Sequence, residues 1–190
     1  MEEVKKLRKE KEDDKRKITM LENQLKSKNL IFKGIPKDSS WPGAVRKICE
    51  EKLGVNFLIK SARKIYDKGD KMNVVAEFDS EDIVNDILQK TNKLAGTFIS
   101  IERDLNSERQ QDKKVLLQMR RDIIAVDMPH AVKVRDDRIK ISDKWIKWNK
   151  QQELVSGQQP VMNVIKNLYG NKLDAVNFSY NDILNKISTQ

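Results

Sequence analysis

The spacing of apolar residues across positions 29–104 changes in the order strand, helix, strand, strand, helix, strand. Alternation with a period of two predicts the strands, and apolar residues three and four positions apart predict the helices. We expect strands at 29–35, 55–65, 72–78 and 97–101. The first helix is predicted to begin near Ser40 and to end at Gly54, and the second to begin at Asp79 or Ser80. This order predicts a βαββαβ unit of the ferredoxin-like α+β class.

The predicted sheet has one face toward the helices and one open face. Residue parity in the strands places Phe32, Val74, Ala76 and Phe78 toward the helices. The central strands leave on the open face Asn29, Ile31, Lys33, Asn73, Val75 and Glu77. RNA-recognition domains of this class stack bases on aromatic residues of that face, and no aromatic pair is predicted there. Phe98 on the fourth strand could stack on a base, or it could fill a gap at the sheet edge.

Residues 1–28, before this unit, carry a heptad pattern of apolar and charged residues. The positions that repeat at alternating spacings of three and four are Val4, Leu7, Lys11, Asp14, Ile18, Leu21 and Leu25. Such a seam predicts a coiled-coil helix through which copies of the chain associate. The polar middle of the seam weakens it, so a single solvated helix is the alternative.

After the βαββαβ unit, the pattern predicts a helix followed by a small antiparallel meander. The helix is expected from Asn106 or Ser107 to about Ile124, and the strands at 131–135, 138–141 and 144–148. One face of the meander can bury Val132, Val134, Ile139, Ile141 and Ile146. The opposite face carries Lys133, Arg135, Arg138 and Lys140, with Trp145 or Trp148 close by. Either tryptophan could instead close the small core.

Residues 151–190 form a neutral tail, with helices predicted at 161–169 and 180–187. The tail could pack on the basic helix and meander, or it could be unrelated to them. We therefore expect four segments along the chain. These are a coiled-coil segment at 1–28, an RNA-recognition-like domain at 29–104, a basic C-terminal domain at 105–150 and a helical or poorly ordered tail at 151–190.

The net charge of +9 over 190 residues is unevenly distributed. The net charge is +3 for residues 1–28, +1 for 29–105, +5 for 106–150 and 0 for 151–190. Lysine and arginine gathered beside a folded domain favour a polyanionic partner, although a solubilising surface is the alternative. Basic residues interleaved with aromatic ones are typical of surfaces that bind single-stranded nucleic acid, since cations follow the phosphates and a ring stacks on a base.

The composition argues against several other classes of protein. The single cysteine, Cys49, cannot form an internal disulfide, and with the single histidine, His130, it cannot make a structural zinc site. We expect Cys49 to be a core thiol and His130 a loop residue. No apolar run is long enough to span a bilayer, and the charged N-terminus lacks a signal-peptide core, so we expect an intracellular chain without a membrane partner. We find no catalytic motif or metal-ligand cluster and expect no enzymatic activity, cofactor or metal.

Several stretches, in their order and spacing, resemble the RNA-binding protein encoded by the first open reading frame of LINE-type non-LTR retrotransposons. The matching stretches are KNLIFKGIP at 28–36, SARKI at 61–65, MNVVAEFDS at 72–80, RDLNSER at 103–109 and the basic segment 132–148. The resemblance covers about residues 1–150. The order of segments in that family is a coiled coil, a non-standard RNA-recognition domain and a C-terminal domain of a helix and a hairpin.

The resemblance implies a homotrimeric, sequence-tolerant binder of single-stranded RNA and DNA with nucleic-acid chaperone activity. Proteins of the family coat their own transcript, which implies a cytoplasmic ribonucleoprotein that also has access to the nucleus. Family members bind through basic residues in the cleft between their two domains rather than through sheet aromatics. Self-association would use residues 1–28 or an upstream extension. The short heptad segment and the neutral tail depart from the family.

The candidate nucleic-acid-binding residues come from this match and from the strand pattern. By position, Arg63, Lys64, Lys68 and Lys71 match the family's basic region around the second and third strands. In the same way, Arg103, Arg109, Lys113 and Lys114 match its linker and helix start, and Arg135 and Arg138 match its hairpin. The strand pattern adds Lys33 and Trp145. The alternative function is a coiled-coil protein-interaction module whose basic surface is incidental.

Overall fold

The computed structural model describes residues 2–37, 40–126, 132–141, 144–149, 153–157, 159–160 and 176–189, apart from the side chains of Lys68 and Gln159. The chain divides into two compact units, Met1–Asn106 and Ser107–Gln190. Each unit has its own cluster of buried apolar side chains. The fold is mixed α+β, with a long N-terminal helix, two antiparallel sheets and a C-terminal helix.

The N-terminal unit begins with a long helix and continues as four strands and two shorter helices. Its elements are α1 Glu2–Ser27, β1 Asn29–Pro36, α2 Trp41–Lys47, β2 Ile59–Lys68, β3 Lys71–Phe78, α3 Glu81–Gln89 and β4 Ser100–Arg103. Helix α2 continues into a π-helical turn, Ile48–Leu53, and α3 is followed by a 3-10 turn, Thr91–Leu94. The sheet order is β2-β3-β1-β4, and every neighbouring pair of strands is antiparallel.

Alternation along the strands buries one face of this sheet. Leu30 and Phe32 on β1 are fully buried, as are Val74 and Phe78 on β3. The rings of Phe32 and Phe78 lie 6.4 Å apart, and α3 adds Val84 to the same cluster. Burial of each such side chain contributes about 1.5–3 kcal/mol to stability. The predicted inward parity of β1 and β3 is confirmed.

Two strands lie further along the chain than the apolar spacing predicts. Strand β2 spans Ile59–Lys68 instead of 55–65, and β4 spans Ser100–Arg103 instead of 97–101. Val55 is buried like a strand residue, yet its backbone N–H donates to the carbonyl of the preceding helical turn. Burial of an apolar residue is therefore not sufficient to locate the start of a strand.

Specific side chains end or begin the helices of this unit. Gly54 adopts a left-handed φ of 69° after the π-helical turn, and Lys93 Nζ donates to the carbonyl of Leu53 at 3.0 Å. The hydroxyl of Ser80 accepts a backbone N–H from the first turn of α3 at 3.4 Å, so the predicted helix start is confirmed there. Ser40 also precedes its helix, but its side chain makes no capping hydrogen bond.

Helix α1 is joined to the sheet at its C-terminal end. Lys26 Nζ lies 3.7 Å from Asp104 Oδ1 and donates to the carbonyl of Leu105 at 3.2 Å. No residue of α1 is buried. The helix predicted from the heptad pattern is confirmed, while its pairing into a coiled coil stays a prediction.

In the described part of the C-terminal unit, two helices pack on one face of an antiparallel meander. Its elements are α4 Ser107–Ala125, β5 Val132–Arg135, β6 Arg138–Ile141, β7 Lys144–Trp148, β8 Leu154–Ser156, β9 Gln159–Pro160 and α5 Tyr180–Ser188. The strands follow one another in the sheet. The predicted helix and the first three strands are confirmed, and β8 and β9 extend the sheet where only helix or poor order was predicted. The helix predicted at 161–169 and the loop predicted at His130 lie outside the described residues.

The end of the chain packs on the core of the same unit. The Tyr180 hydroxyl donates to Asp112 Oδ1 at 2.8 Å, and its ring meets the ring of Trp148 edge to face at 5.2 Å. Ile183 is buried in the same cluster. Residues 176–188 therefore pack on the basic helix and meander, which is the first of the two alternatives that the sequence left open for the tail.

Gly34 occupies a position where a side chain would meet backbone. Its φ is +80°, and an added Cβ would overlap the carbonyl oxygen of Phe98. Gly96 has the same φ with open space around it.

We expect Gly96→Ala to lower the free energy of unfolding by about 1–2 kcal/mol, the cost of a left-handed backbone alone. Gly34→Ala should lower it further because β1 must also move away from residue 98. Urea unfolding of both variants tests this, and equal losses would contradict it.

Candidate nucleic-acid interface

One face of the C-terminal sheet carries two rows of basic side chains. The strand register forms one row from Lys133, Lys140 and Trp145 and a second row from Arg135, Arg138 and Lys147. Neighbouring strands lie about 4.8 Å apart, so the members of a row are adjacent. We call these six residues the basic sheet face.

The apolar residues of the same strands lie on the opposite face of the sheet and pack against α4. Ile139 on β6 and Ile146 on β7 are buried in the core cluster, together with Val115 and Met119 of α4. Because successive strand residues point to opposite sides, the basic residues between them lie away from α4. The predicted division of the two faces is confirmed for β5, β6 and β7.

Most cations of the basic sheet face have no acidic partner among the described residues. Lys133, Arg135 and Lys147 are exposed and make no ion pair with any residue that the structure describes. Among the carboxylates that the structure describes, Arg138 approaches that of Asp137 at the turn, where Oδ1 lies 4.0 Å from its Nε. Within the described parts of β5 to β9, no acidic residue occupies a strand position on this face. Five cations on one small surface create a positive potential that attracts anions.

The two tryptophans of β7 face opposite ways. Trp145 is 38% exposed, and the guanidinium carbon of Arg138 lies 6.0 Å from its ring centroid. Trp148 is buried in the core cluster. Trp148 therefore closes the small core, and Trp145 presents its ring beside the cations.

Arg109, predicted to bind nucleic acid, makes a hydrogen bond within the C-terminal unit. Its Nε donates to Asp137 Oδ2 at 3.0 Å, which ties the start of α4 to the turn between β5 and β6. Burial raises the pKa of Asp137, but the hydrogen bond and positive charge of Arg109 outweigh burial, so this pKa lies below its ordinary value. The geometry assigns Arg109 to holding the unit together.

The next two predicted lysines on α4 have different surroundings. Burial lowers the pKa of Lys113, and the negative charge of Asp136 opposes that effect. Lys114 is exposed on the helix surface. Of the pair, Lys114 has the position that a solvent-borne anion can reach directly.

The open face of the N-terminal sheet gathers four of the predicted residues by strand register. These are Lys33, Arg63, Lys68 and Lys71. Lys33 forms an ion pair with Glu102 on the neighbouring strand. Lys71 places its Nζ 3.8 Å from the ring centroid of Phe98. Lys68 pairs with Lys71 at the end of the hairpin, and its side chain lies outside the described part.

The middle of this open face contains a buried residue. Val75 is buried although it lies outside the core cluster on the helix side. Its cross-strand partners are Ile31 and Arg63, whose side chains stand within about 4.5–5.5 Å of it at Cβ. Val75 therefore lies on the open face, as predicted, and neighbouring side chains on that face cover it.

Lys64 and Arg103 face the helices instead. The Nζ of Lys64 lies 5.7 Å from the ring centroid of Trp41 on α2. Arg103 donates to Glu81 at 3.3 Å and also to Asn85, and both acceptors lie on α3. The pleat of the sheet separates these two residues from the four on the open face, although Lys64 is adjacent to one of them in the sequence.

Tyr66 and Lys147 lie on these faces without having been predicted there. Strand β2 shifts register between Lys64 and Tyr66, which places Tyr66 opposite Asn73 on the open face, 57% exposed. That shift leaves no mark in the apolar pattern. Lys147 could have been found, since strict alternation along β7 places it on the same side as Trp145.

Other chemistry is limited among the residues that the structure describes. They contain no group of three or more His, Cys, Asp or Glu side chains that could hold a metal ion. Burial raises the pKa of Cys49 to about 12, which keeps the thiol protonated. No described helix has the length and apolar character needed to cross a bilayer. Comparison with protein-family models and with curated proteins gave no match.

The Arg109–Asp137 pair predicts a pH-dependent effect on stability. We expect Arg109→Gln to lower the free energy of unfolding at neutral pH by about 1 kcal/mol, because a charge-assisted hydrogen bond is lost. The folded-state pKa of Asp137 is depressed, so this stabilisation is present above the unfolded-state value of about 4 and is lost as the pH falls below it. Urea unfolding of wild type and variant should show a difference that narrows toward about pH 3. Lys114→Gln is the control, and a difference that does not change with pH would contradict the assignment.

Proposed function

We propose that this chain binds single-stranded RNA and DNA with little sequence preference and acts as a nucleic-acid chaperone in a retrotransposon ribonucleoprotein. The basic sheet face carries the proposal, since it combines five cations with an exposed tryptophan. Like charges this close repel one another, and the phosphates of a flexible strand relieve that repulsion while counterions are released. Little sequence preference follows because the phosphate is the same at every nucleotide.

The N-terminal unit supports the same proposal through its topology. Its elements run βαββαβ, and its strand order is β2-β3-β1-β4 with antiparallel neighbours. This order agrees with the ferredoxin-like plan on which RNA-recognition domains are built. Together with the resemblance to the first-open-reading-frame protein of LINE-type retrotransposons, it supports a non-standard RNA-recognition domain. The corresponding location is a cytoplasmic ribonucleoprotein that can also enter the nucleus.

The chaperone part of the proposal follows from how the strand would be held. Contacts from lysine and arginine to phosphates position a strand without using the edges of its bases. Those edges stay available to pair with a second strand. A protein that holds a strand in this way protects it from collapse and still lets it exchange partners.

Copies of the chain are proposed to associate through α1. The apolar residues of its heptad seam, Val4, Leu7, Ile18, Leu21 and Leu25, are 53–75% exposed. A stripe of apolar residues on one side of a helix is stabilised when it packs against an equivalent stripe. The resemblance implies three helices in the bundle. Several linked copies would bind a long strand more tightly than one, because the later contacts become intramolecular.

A protein-interaction module is the second candidate function. The exposed seam of α1 favours it, since the same stripe could receive a helix from a different protein. The two candidates differ at the basic sheet face. Only nucleic-acid binding requires that the purified chain retain a labelled single strand near physiological salt.

Binding through the basic sheet face predicts a steep dependence on salt. Five phosphate contacts give a slope of roughly −3.5 for log affinity against log salt concentration on a single strand. We expect Lys133→Gln with Lys147→Gln to make the slope shallower by about 1.4 and to weaken binding about 25-fold at 0.1 M salt. Fluorescence anisotropy with mixed-sequence RNA of one length measures both quantities.

The matched control removes the same charge from the helix side of the N-terminal unit. Lys47→Gln with Lys52→Gln should leave the salt slope nearly unchanged, because both lysines are exposed on the helix side of the N-terminal sheet and neither belongs to the basic sheet face. Equal weakening by the two double variants would assign binding to overall charge and contradict the proposed surface. Loss on one RNA sequence but not on others would indicate base readout instead.

Association through α1 is tested by changing its seam. We expect Leu7→Glu with Leu21→Glu to convert the oligomer to a monomer, because charges at seam positions would be buried without partners. Met20→Glu is the control, since Met20 is 61% exposed and lies off the seam. Sedimentation equilibrium should give a mass of three chains for wild type and the control. A monomeric wild type at high protein concentration would rule out association through α1.

A further inference from the structure

The ring of Phe98 is exposed to water beside the N-terminal sheet. The side chain is 84% exposed. Its loop is ordered on both sides, since the N–H of Thr97 donates to the carbonyl of Leu94 at 3.0 Å and the N–H of Ile99 donates to the Thr97 hydroxyl at 3.3 Å. Gly34 on β1 lets the backbone of residue 98 approach closely. These contacts hold the backbone that carries the exposed ring.

A cation and a second ring accompany Phe98. Lys71 Nζ lies 3.8 Å from the Phe98 ring centroid, well within the range of a cation–π interaction. Tyr66 is opposite Asn73, which follows Lys71 by two residues on the same face of β3. Tyr66 and Lys71 are therefore diagonal neighbours on adjacent strands, with Cα atoms about 7–8 Å apart. Two exposed rings and one ammonium group are thus close enough together for a strand of a few nucleotides to contact all three.

We propose that Tyr66, Lys71 and Phe98 form a stacking platform for unpaired bases, through which the N-terminal unit prefers single strands to duplexes. This inference rests on the proposed nucleic-acid binding and names the part of the strand that this surface contacts. Each ring stacks on the plane of a base, which all bases share, and Lys71 pairs with an adjacent phosphate. In a duplex the base planes are already covered by their neighbours, so they cannot reach the rings.

The charges around the platform agree with a nucleotide ligand. Glu102 on the same face is paired with Lys33. Glu77, which accepts a hydrogen bond from Ser61 at 3.1 Å, lies six residues from Lys71 along β3, about 20 Å away. An apolar protein surface that covered Phe98 would also take the ammonium of Lys71 out of water at a cost. A nucleotide satisfies both groups, since its base covers the ring and its phosphate meets the ammonium.

The experiment compares a single strand with an abasic strand and with a duplex, and wild type is expected to bind the base-bearing single strand most tightly. The full chain is titrated, near 0.1 M salt, against a mixed-sequence single strand, an abasic strand of equal length and a duplex. Tyr66→Leu with Phe98→Leu should weaken binding of the base-bearing strand roughly 25-fold or more, from two lost stacking contacts. Affinity for the abasic strand, and the salt slope, should stay the same. Tyr66→Phe retains the ring and should bind like wild type, as should Leu58→Ala at another exposed apolar position.

Ultraviolet crosslinking of the wild-type complex provides a readout that does not depend on how the variants fold. Crosslinked bases are expected on peptides that contain Tyr66 or Phe98. If wild type binds both strands equally and crosslinks map only to the basic sheet face, the platform is overturned while the proposed function stands. If wild type binds neither strand, the proposed function and the platform both fail.

Discussion

The burial of one face of each antiparallel sheet is the constraint on which both units depend. On β6, Ile139 and Ile141 enter the core, and Arg138 and Lys140 consequently lie on the other side. The same alternation that builds the hydrophobic core therefore also collects the cations. A shift of one residue in register would send every inward side chain to solvent. The basic sheet face is thus as precisely specified as the core behind it, although none of its members contributes to that core.

The parts of the fold that were predicted correctly are those with an unbroken period. Apolar and basic residues alternate strictly through β5 and β6, and the two faces of these strands follow from that alternation alone. In β2, an extra residue at Ile65 shifts the register, and the strand continues to Lys68, beyond the end that the apolar pattern predicted at residue 65. Strands β8 and β9 have only three and two residues, too few to show any period. Their pairing depends on a sheet edge that local sequence does not reveal.

The partners of individual cations are a second limit on what the sequence could predict. Arg109 bonds to a carboxylate 28 residues away, and Arg103 bonds to one 22 residues away. Local composition contains no signal for such pairs, because they form only once helices and strands are in place. Sequence could therefore identify a basic region but could not separate residues that support the fold from residues that face solvent. The structure supplies that separation, since Arg103 and Arg109 bond within their own units, while Lys147, which was not predicted, faces solvent.

The two open faces differ in the part of a nucleotide that suits them. Long flexible cations on the basic sheet face match phosphates, which recur along any strand and impose little geometry. The exposed rings of Tyr66 and Phe98 match base planes, which are accessible only where a strand is unpaired. Neither contact uses the base edges, which are the groups that distinguish one base from another. A chain with both faces would therefore discriminate single strands from duplexes while accepting any sequence, a combination suited to coating a whole transcript rather than a particular site on it.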